Sequence, residues 1–289
     1  MTNQEILQSF DRIKSWIRGS ERAPHKPLLI LIALGEIQNG NSHFIKYEEI
    51  EERLRNLLID FGPPRKNVNP QYPFVRLAND GIWEFNKPNL INTSNDPSSQ
   101  YLIENEISAC FIPEIKQRLI NYPLVLKEVA WHILSKNFPE SIHEDIISAT
   151  GLDISSGKKR TRNAAFRDQI LIAYEYRCAV CEFSVRLAQK NIALEAAHIK
   201  WFEAQGPDTE NNGIALCTLH HKLFDLGAFT LKNNVIFVSD RVNGTGAQEW
   251  LLKFHGKEIR LPQREKYYPE PEFTEWHVNE VFKGMGREV

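Results

Sequence analysis

Residues 177–181 read RCAVC, and residues 212–225 read NGIALCTLHHKLFD. Cys178 and Cys181 form a C-x-x-C, while Cys217 and His220 form a C-x-x-H. A C-x-x-C turn aims two sulfurs at one point. A C-x-x-H at a helix start does the same with a sulfur and an imidazole nitrogen. Zinc takes four nitrogen or sulfur ligands in a tetrahedron, so these four residues are expected to form a closed, structural Zn2+ site. The competing reading is of cysteines as small buried hydrophobes. It is disfavoured because these are the chain's only closely spaced cysteines, with Cys110 alone left over.

Working outward, His198 lies in LEAAHI (194–199), Asn212 opens NGIALC, and His221 follows His220 directly. Neighbours on a helix point about 100° apart. If His220 shares a face with Cys217, His221 is turned toward a different site. Hydrolysis of a phosphodiester needs a base for water, a cation on the phosphate and help for the leaving oxygen. His198, at a strand end before a polar loop, suits the base. The Asn212 amide either braces that loop or orients His198. His221 is a candidate ligand for a divalent cation. Asp225, one turn later on the same face, is a candidate second ligand or orienting partner.

Through Arg177–Leu231 the chain resembles the HNH nucleases of ββα-metal fold, on RCAVC, LEAAHI and GPDTENNGIALCTLHHKLFD. The resemblance implies His198 as base, Asn212 as the central asparagine and His221 as ligand of Mg2+ or Mn2+. Many such enzymes place an aspartate just before the base histidine. Here Ala197 stands there, which leaves the ion's second ligand open between Asp225 and Glu195.

The first half carries no catalytic cluster. Its full-length pattern resembles the phosphorothioated-DNA-binding restriction endonucleases, McrA-like proteins that fuse a sulfur-binding domain to an HNH domain. The resemblance rests on APHKPLL (23–29), FGPPR (61–65), YPFVRL (72–77), DGIWEF (80–85), LEAAHIKW (194–201), NGIALCTLHHKLFD and WHVNEVFKG (276–284). It implies a sulfur pocket with Tyr72 and Pro73 at its centre and His25 and Arg76 beside them. Sulfur is larger and less hydrated than oxygen, so proline and aromatic edges favour it over a phosphate oxygen that would lose hydrogen bonds. The family's glycine-and-basic pocket loop should fall near Asn92–Gln100, which has neither glycine nor arginine. Ala109-Cys110-Phe111 stands where a glycine-rich turn is expected. Weak sulfur reading, another modification, or backbone binding alone therefore stay open.

Composition sets the frame. The chain has 289 residues, 42% apolar and 25% charged, with net charge −2, as in ordinary globular protein. No long apolar run suggests a membrane span, and the start lacks the basic flank and apolar core of a secretory signal. Cysteine usage suits a reducing compartment, so a cytoplasmic location is expected. A local basic run, Lys158, Lys159, Arg160, Arg162, Arg167 and Arg177, is read as phosphate-facing or as a solvated linker.

Apolar spacing predicts helices over 5–19, 27–39, 46–61, 112–119, 123–135, 143–150, 162–176 and 217–224, and a strand over 193–197. It predicts a hairpin over Tyr72–Phe85 that turns at Asp80-Gly81. Trp83, Phe85 and Tyr101 are either core or a cage for a flipped base. The fold class is α+β. A mostly helical DNA-reading domain with a small sheet (1–155) precedes a ββα-metal nuclease domain with its zinc (156–289). The expected partner is double-stranded, modified DNA. One HNH site cuts one strand, so a homodimer would supply a concerted double cut. The rival readings are an HNH nuclease for another modification or for unmodified DNA, and a DNA-binding module with an inactive nuclease fold.

Overall fold

The computed structural model describes residues 1–13, 24–41, 43–93, 95–154 and 164–287. The chain forms two compact units, Met1–Gly157 and Lys158–Val289. Lys158, Lys159, Arg160 and Arg162 of the basic run lie outside the described residues, as do residues 14–19 of the first expected helix.

The first unit is helical around one small sheet. It runs α1 (Asn3–Asp11), α2 (His25–Gln38), β1 (Ile45–Lys46), α3 (Tyr47–Phe61), α4 (Gln71–Arg76), β2 (Trp83–Phe85), α5 (Ser99–Glu104), β3 (Ser108–Phe111), α6 (Pro113–Asn121), α7 (Pro123–Asn137) and α8 (His143–Ala149). Helix α2 is apolar on every side, and Pro27 through Gly35 are all buried. Such a helix has no solvent face and becomes the centre of the unit; α3, α4 and α7 pack on it. In α3 the buried residues Tyr47, Ile50, Leu54, Leu57, Leu58 and Phe61 make one stripe. Glu48 and Glu49 sit in its first turn, where the helix dipole favours them. Gly62 and the two prolines after it end it. The sheet order is β1-β3-β2, all antiparallel, with Ile45 opposite Ala109 and Trp83 opposite Phe111.

The hairpin expected over Tyr72–Phe85 does not form. Helix α4 and a 3-10 turn at Leu77–Asp80 fill its first half, and Gly81 ends the turn. Pro70 and Pro73 carry no N–H for a ladder but are tolerated at a helix start. Phe74, Val75 and Leu77 are buried together in the helical arrangement. Only Trp83–Phe85 is a strand, and it pairs with β3. The Ala109–Phe111 segment is thus the central strand of the sheet and not a turn. Trp83 is 3% and Phe85 9% exposed. Trp83 packs edge-on against Phe74 and Phe111, while Tyr101 donates to the Leu90 carbonyl at 3.1 Å. Trp83 and Phe85 are core, and Tyr101 is half-buried with its hydroxyl tied to the backbone, so the three do not form a base cage. The polar loop expected to Gln100 ends at Ser98, whose hydroxyl caps α5 by accepting from the Tyr101 N–H.

The second unit runs α9 (Ala164–Ala173), β4 (Val185–Leu187), β5 (Lys190–Ile192), β6 (Leu194–His198), β7 (Gly213–Cys217), α10 (Thr218–Asp225), β8 (Phe229–Lys232), β9 (Val235–Val238), α11 (Ala247–Trp250) and α12 (Pro271–Glu280). Strands β6 and β7 pair antiparallel from Leu194–Cys217 to His198–Gly213. Helix α10 leaves β7 without a break and packs back on β6 and β7, giving a ββα unit, with α9 against the same two strands. The pairs β4–β5 and β8–β9 are separate two-stranded hairpins. Helix α12 closes the far side. His277 stacks on Phe224 at 3.8 Å, sits 3.1 Å from the Phe224 carbonyl, and lies 2.9 Å from the Thr230 hydroxyl. Trp276 packs at 6.0 Å from Trp201. No helix among the described residues is long and apolar enough to cross a membrane.

Gly227 makes the turn out of α10 with φ +76°, and a Cβ there would lie 2.1 Å from the Val281 carbonyl oxygen. Both the left-handed backbone and the contact forbid a side chain. Gly227→Ala is expected to destabilise the second unit by at least about 1–2 kcal/mol, read as a lower urea midpoint. An unchanged midpoint would show that the turn relaxes freely.

Candidate functional site

The turn after α9 presents Cys178 and Cys181. It is pinned by the Ala179 N–H to the Ala215 carbonyl at 2.8 Å and the Cys178 N–H to the Phe183 carbonyl at 3.0 Å. Cys217 ends β7, and His220 lies in the first turns of α10. Their ligand atoms all fall within 4.8 Å of one another. Cys181 Sγ is 3.9 Å from Cys217 Sγ, and His220 Nδ1 is 3.7 Å from Cys178 Sγ and 3.1 Å from Cys217 Sγ. A tetrahedral ion with ~2.3 Å sulfur bonds has ligand–ligand edges of ~3.8 Å, so the four residues fit a metal ion. His220 Nε2 sits 2.9 Å from the Trp250 carbonyl. Donating there leaves the lone pair on Nδ1, toward the cluster. It is the one group of three or more such side chains placed to hold a metal among the described residues.

The metal-free cluster traps protons. Hydrogen bonds with Cys181 and Cys217 push the Cys178 thiol up, and accepting from Cys178 and Cys181 holds Cys217 down as a thiolate. Burial works against a charged His220, but its bonds to Cys181 and Cys217 raise it to about 9. Metal binding therefore displaces protons. Cys217→Ser is expected to lose the roughly stoichiometric bound metal and to lower the melting temperature, measured by elemental analysis and thermal unfolding. Full metal content in the variant would overturn the ligand set.

His198 ends β6. Its Nε2 lies 2.8 Å from Asp208 Oδ1, and its ring stacks on Phe166 with centroids 4.0 Å apart. Asn212, fully buried, does not bond to His198 but ties the loop between β6 and β7. Its Oδ1 accepts the Lys200 N–H at 2.8 Å, and its Nδ2 donates to the Lys200 and Pro207 carbonyls at 3.0 and 2.9 Å. Of the two roles the sequence left open, bracing is the one seen. Gly206 is forced by the same knot, since a Cβ there would lie 1.8 Å from the Lys200 carbonyl oxygen. Asp208 is carried by this braced loop. The sequence offered no spacing that marks it.

His221 points away from the cysteines. Its Nδ1 is 2.6 Å from Glu195 Oε2, and its Nε2 is 3.1 Å from Asp225 Oδ2. The Trp201 indole N–H donates to Asp225 Oδ1 at 3.1 Å. Ala197 is fully buried and brings no ligand. Burial alone would push His221 down, but the charge of Asp225 and the bonds to Asp225 and Glu195 raise it to about 9. Its ordinary value is 6.5. The pairing thus stabilises the metal-free fold fully below pH 6.5, and that contribution is lost as pH rises through about 9. Ring NMR of metal-free protein is expected to titrate His221 near 9. A midpoint at the ordinary value would show that the carboxylates do not hold the charge.

In the first unit, Tyr72 and Arg76 lie one turn apart on α4. The Arg76 guanidinium sits 4.5 Å over the Tyr72 ring. Arg76 also makes a two-pronged bond to Asp96, with Nε to Oδ1 at 2.8 Å and Nη2 to Oδ2. The hydrogen bond to Asp96 raises the guanidinium pKa further. Pro73 is buried, and His25 is half-buried at the start of α2. The structure thus brings Tyr72 and Arg76 together and adds Asp96, from the loop that lacks glycine and arginine.

Residues 3–155 match the model of the ScoMcrA-like DNA sulfur-binding domain, and residues 178–232 match that of an HNH endonuclease. The chain therefore joins a sulfur-binding DNA domain to an HNH nuclease domain, similar to McrA-type modification-dependent restriction enzymes. The first match spans more than half of the sequence, and the chain belongs to the ScoMcrA-like sulfur-binding family.

Among solved structures, the sulfur-binding domain of ScoMcrA complexed with phosphorothioated DNA is 17% identical. It covers 50% of this chain and 94% of its own, with TM-score 0.45. The corresponding SprMcrA domain complexed with phosphorothioated DNA is 16% identical, covering 53% and 95%, with TM-score 0.44. The modification-dependent TagI restriction endonuclease is 22% identical, covering 45% of this chain and 41% of its own, with TM-score 0.30. No curated protein matches the sequence.

Proposed function

We propose that the protein is a modification-dependent DNA endonuclease. Residues 1–155 read a phosphorothioate in double-stranded DNA, and residues 156–289 hydrolyse a phosphodiester nearby. The observation that carries the cutting half is the way His198 is held. Asp208 accepts from Nε2–H, which places the lone pair on Nδ1. Phe166 fixes the ring plane, and Asn212 fixes the loop that brings Asp208. An oriented imidazole at a strand end is suited to take the proton of an attacking water. His221 supplies an imidazole nitrogen to a divalent cation. A bound Mg2+ or Mn2+ would oppose the charge building on the scissile phosphate and its leaving oxygen. Cys178, Cys181, Cys217 and His220 would hold Zn2+ and lock α10 to the turn after α9.

In the reading half, the Tyr72 ring supplies an apolar edge backed by the buried Pro73, and Arg76 supplies charge; His25 is assigned to the same pocket by the family resemblance. Arg76 is already bonded to Asp96, so DNA must replace one anion by another there. That exchange lowers the gain from bare charge and leaves more of the selection to the apolar edge. Each chain carries one HNH site, so a concerted double-strand cut calls for a homodimer. Such an enzyme works where DNA is handled, in the cytoplasm.

Full-length protein, at fixed salt of about 0.15 M because charge alone mimics affinity, is expected to bind a phosphorothioate duplex at least about tenfold more tightly than its unmodified match. Equal binding would retire the sulfur reading and turn the search to modified bases. His198→Ala is expected to keep that preference and slow cleavage by about 10²–10⁴. Cleavage at the wild-type rate would remove His198 from the chemistry.

A further inference from the structure

We propose that Glu195 shares the divalent cation with His221, and that Asp225 is a positioning residue on the opposite edge of the ring. This rests on the nuclease reading above and names its ion site. Glu195 meets Nδ1 and Asp225 meets Nε2, and the two nitrogens face away from each other. An ion bound to one ring nitrogen can reach the carboxylate on that edge but not the other.

Exposure decides between the edges. The Asp225 side chain is 2% exposed, and its second oxygen accepts the indole N–H of Trp201, which packs on Trp276. The Glu195 side chain is 40% exposed. A hard ion such as Mg2+ is held by one or two carboxylates, keeps several waters, and is shared with substrate phosphate. Only the Glu195 edge has room for water and phosphate. Oε2 and Nδ1 lie 2.6 Å apart as a hydrogen-bonded pair, so an ion with bonds of ~2.1 Å would replace the shared proton after the two atoms part by only a few tenths of an ångström. Asp225, accepting from Nε2–H, then holds the tautomer whose lone pair is on Nδ1. An outer carboxylate commonly orients a ligating histidine in this way. Strand β6 carries both groups the reaction needs, the ion's carboxylate at Glu195 and the base at His198.

The test uses full-length, zinc-loaded protein and Mn2+ as the probe, with free Mn2+ read by electron paramagnetic resonance. Glu195→Gln is expected to weaken Mn2+ by at least about tenfold, while Asp225→Asn, which keeps an acceptor for Nε2–H, stays within about threefold. Asp225→Ala, which has no acceptor, is expected to bind more weakly than Asp225→Asn. Wild-type affinity in Glu195→Gln, or an equal loss in Asp225→Asn, would overturn the assignment. Independently of how the variants fold, anomalous scattering from Mn2+ in wild-type crystals is expected beside Nδ1. A peak beside Nε2 would reverse the two roles. Wild-type protein that binds no Mn2+ beyond its zinc site would sink the nuclease reading itself, a result visible before any variant is made.

Discussion

The junction of β7 with α10 is the constraint on which the second unit depends. Cys217 closes the strand, and three residues later His220 returns to the same cluster. The next residue, His221, leaves the helix toward Glu195 and Asp225. One turn of helix thus serves two sites whose directions are fixed relative to each other by helix geometry. Whatever tethers Cys217 and His220 also sets the angle of His221. The neighbouring loop is fixed separately, by three hydrogen bonds to the buried Asn212 amide. A buried amide with every bond made is a rigid spacer, because breaking any one leaves a polar group in the core.

The first unit follows a different logic. Its centre is a helix with no polar side, so its surface chemistry is carried by the elements packed around that helix. Helix α4 is one of these. Its Tyr72 and Arg76 are in contact, and the guanidinium is matched by Asp96. An arginine already stacked and paired has little freedom left to lose on meeting an anion. The same partner weakens its pull on any distant anion.

Much of this was legible in the sequence. Long helices with clean apolar spacing, such as α3, appear where periodicity puts them. The C-x-x-C and C-x-x-H knuckles could each be read because each is a local geometry, and the Ala179–Ala215 hydrogen bond is what brings the two together. The 72–85 segment was misread for a definable reason. Asp80-Gly81 resembles a hairpin turn, but Pro70 and Pro73 bar a ladder, and β2 takes its partner from β3, far along the chain. Asp208 and Asp96 were invisible for a related reason. Each lies in a loop of polar residues, and only the folded loop shows which carboxylate meets His198 or Arg76. The choice between Glu195 and Asp225 is likewise a matter of which edge of one ring faces solvent, and no spacing encodes that.

The brace behind His221 reaches well past the motif. Asp225 is held by Trp201, Trp201 packs on Trp276, and His277 stacks on Phe224 and reaches its carbonyl. The stretch that matches HNH endonucleases ends at residue 232, while both of these supports sit in α12. The ligand-bearing core is therefore not a portable cassette. A graft cut at the motif's edge would carry every chemical group across and leave behind the buttress that aims one of them.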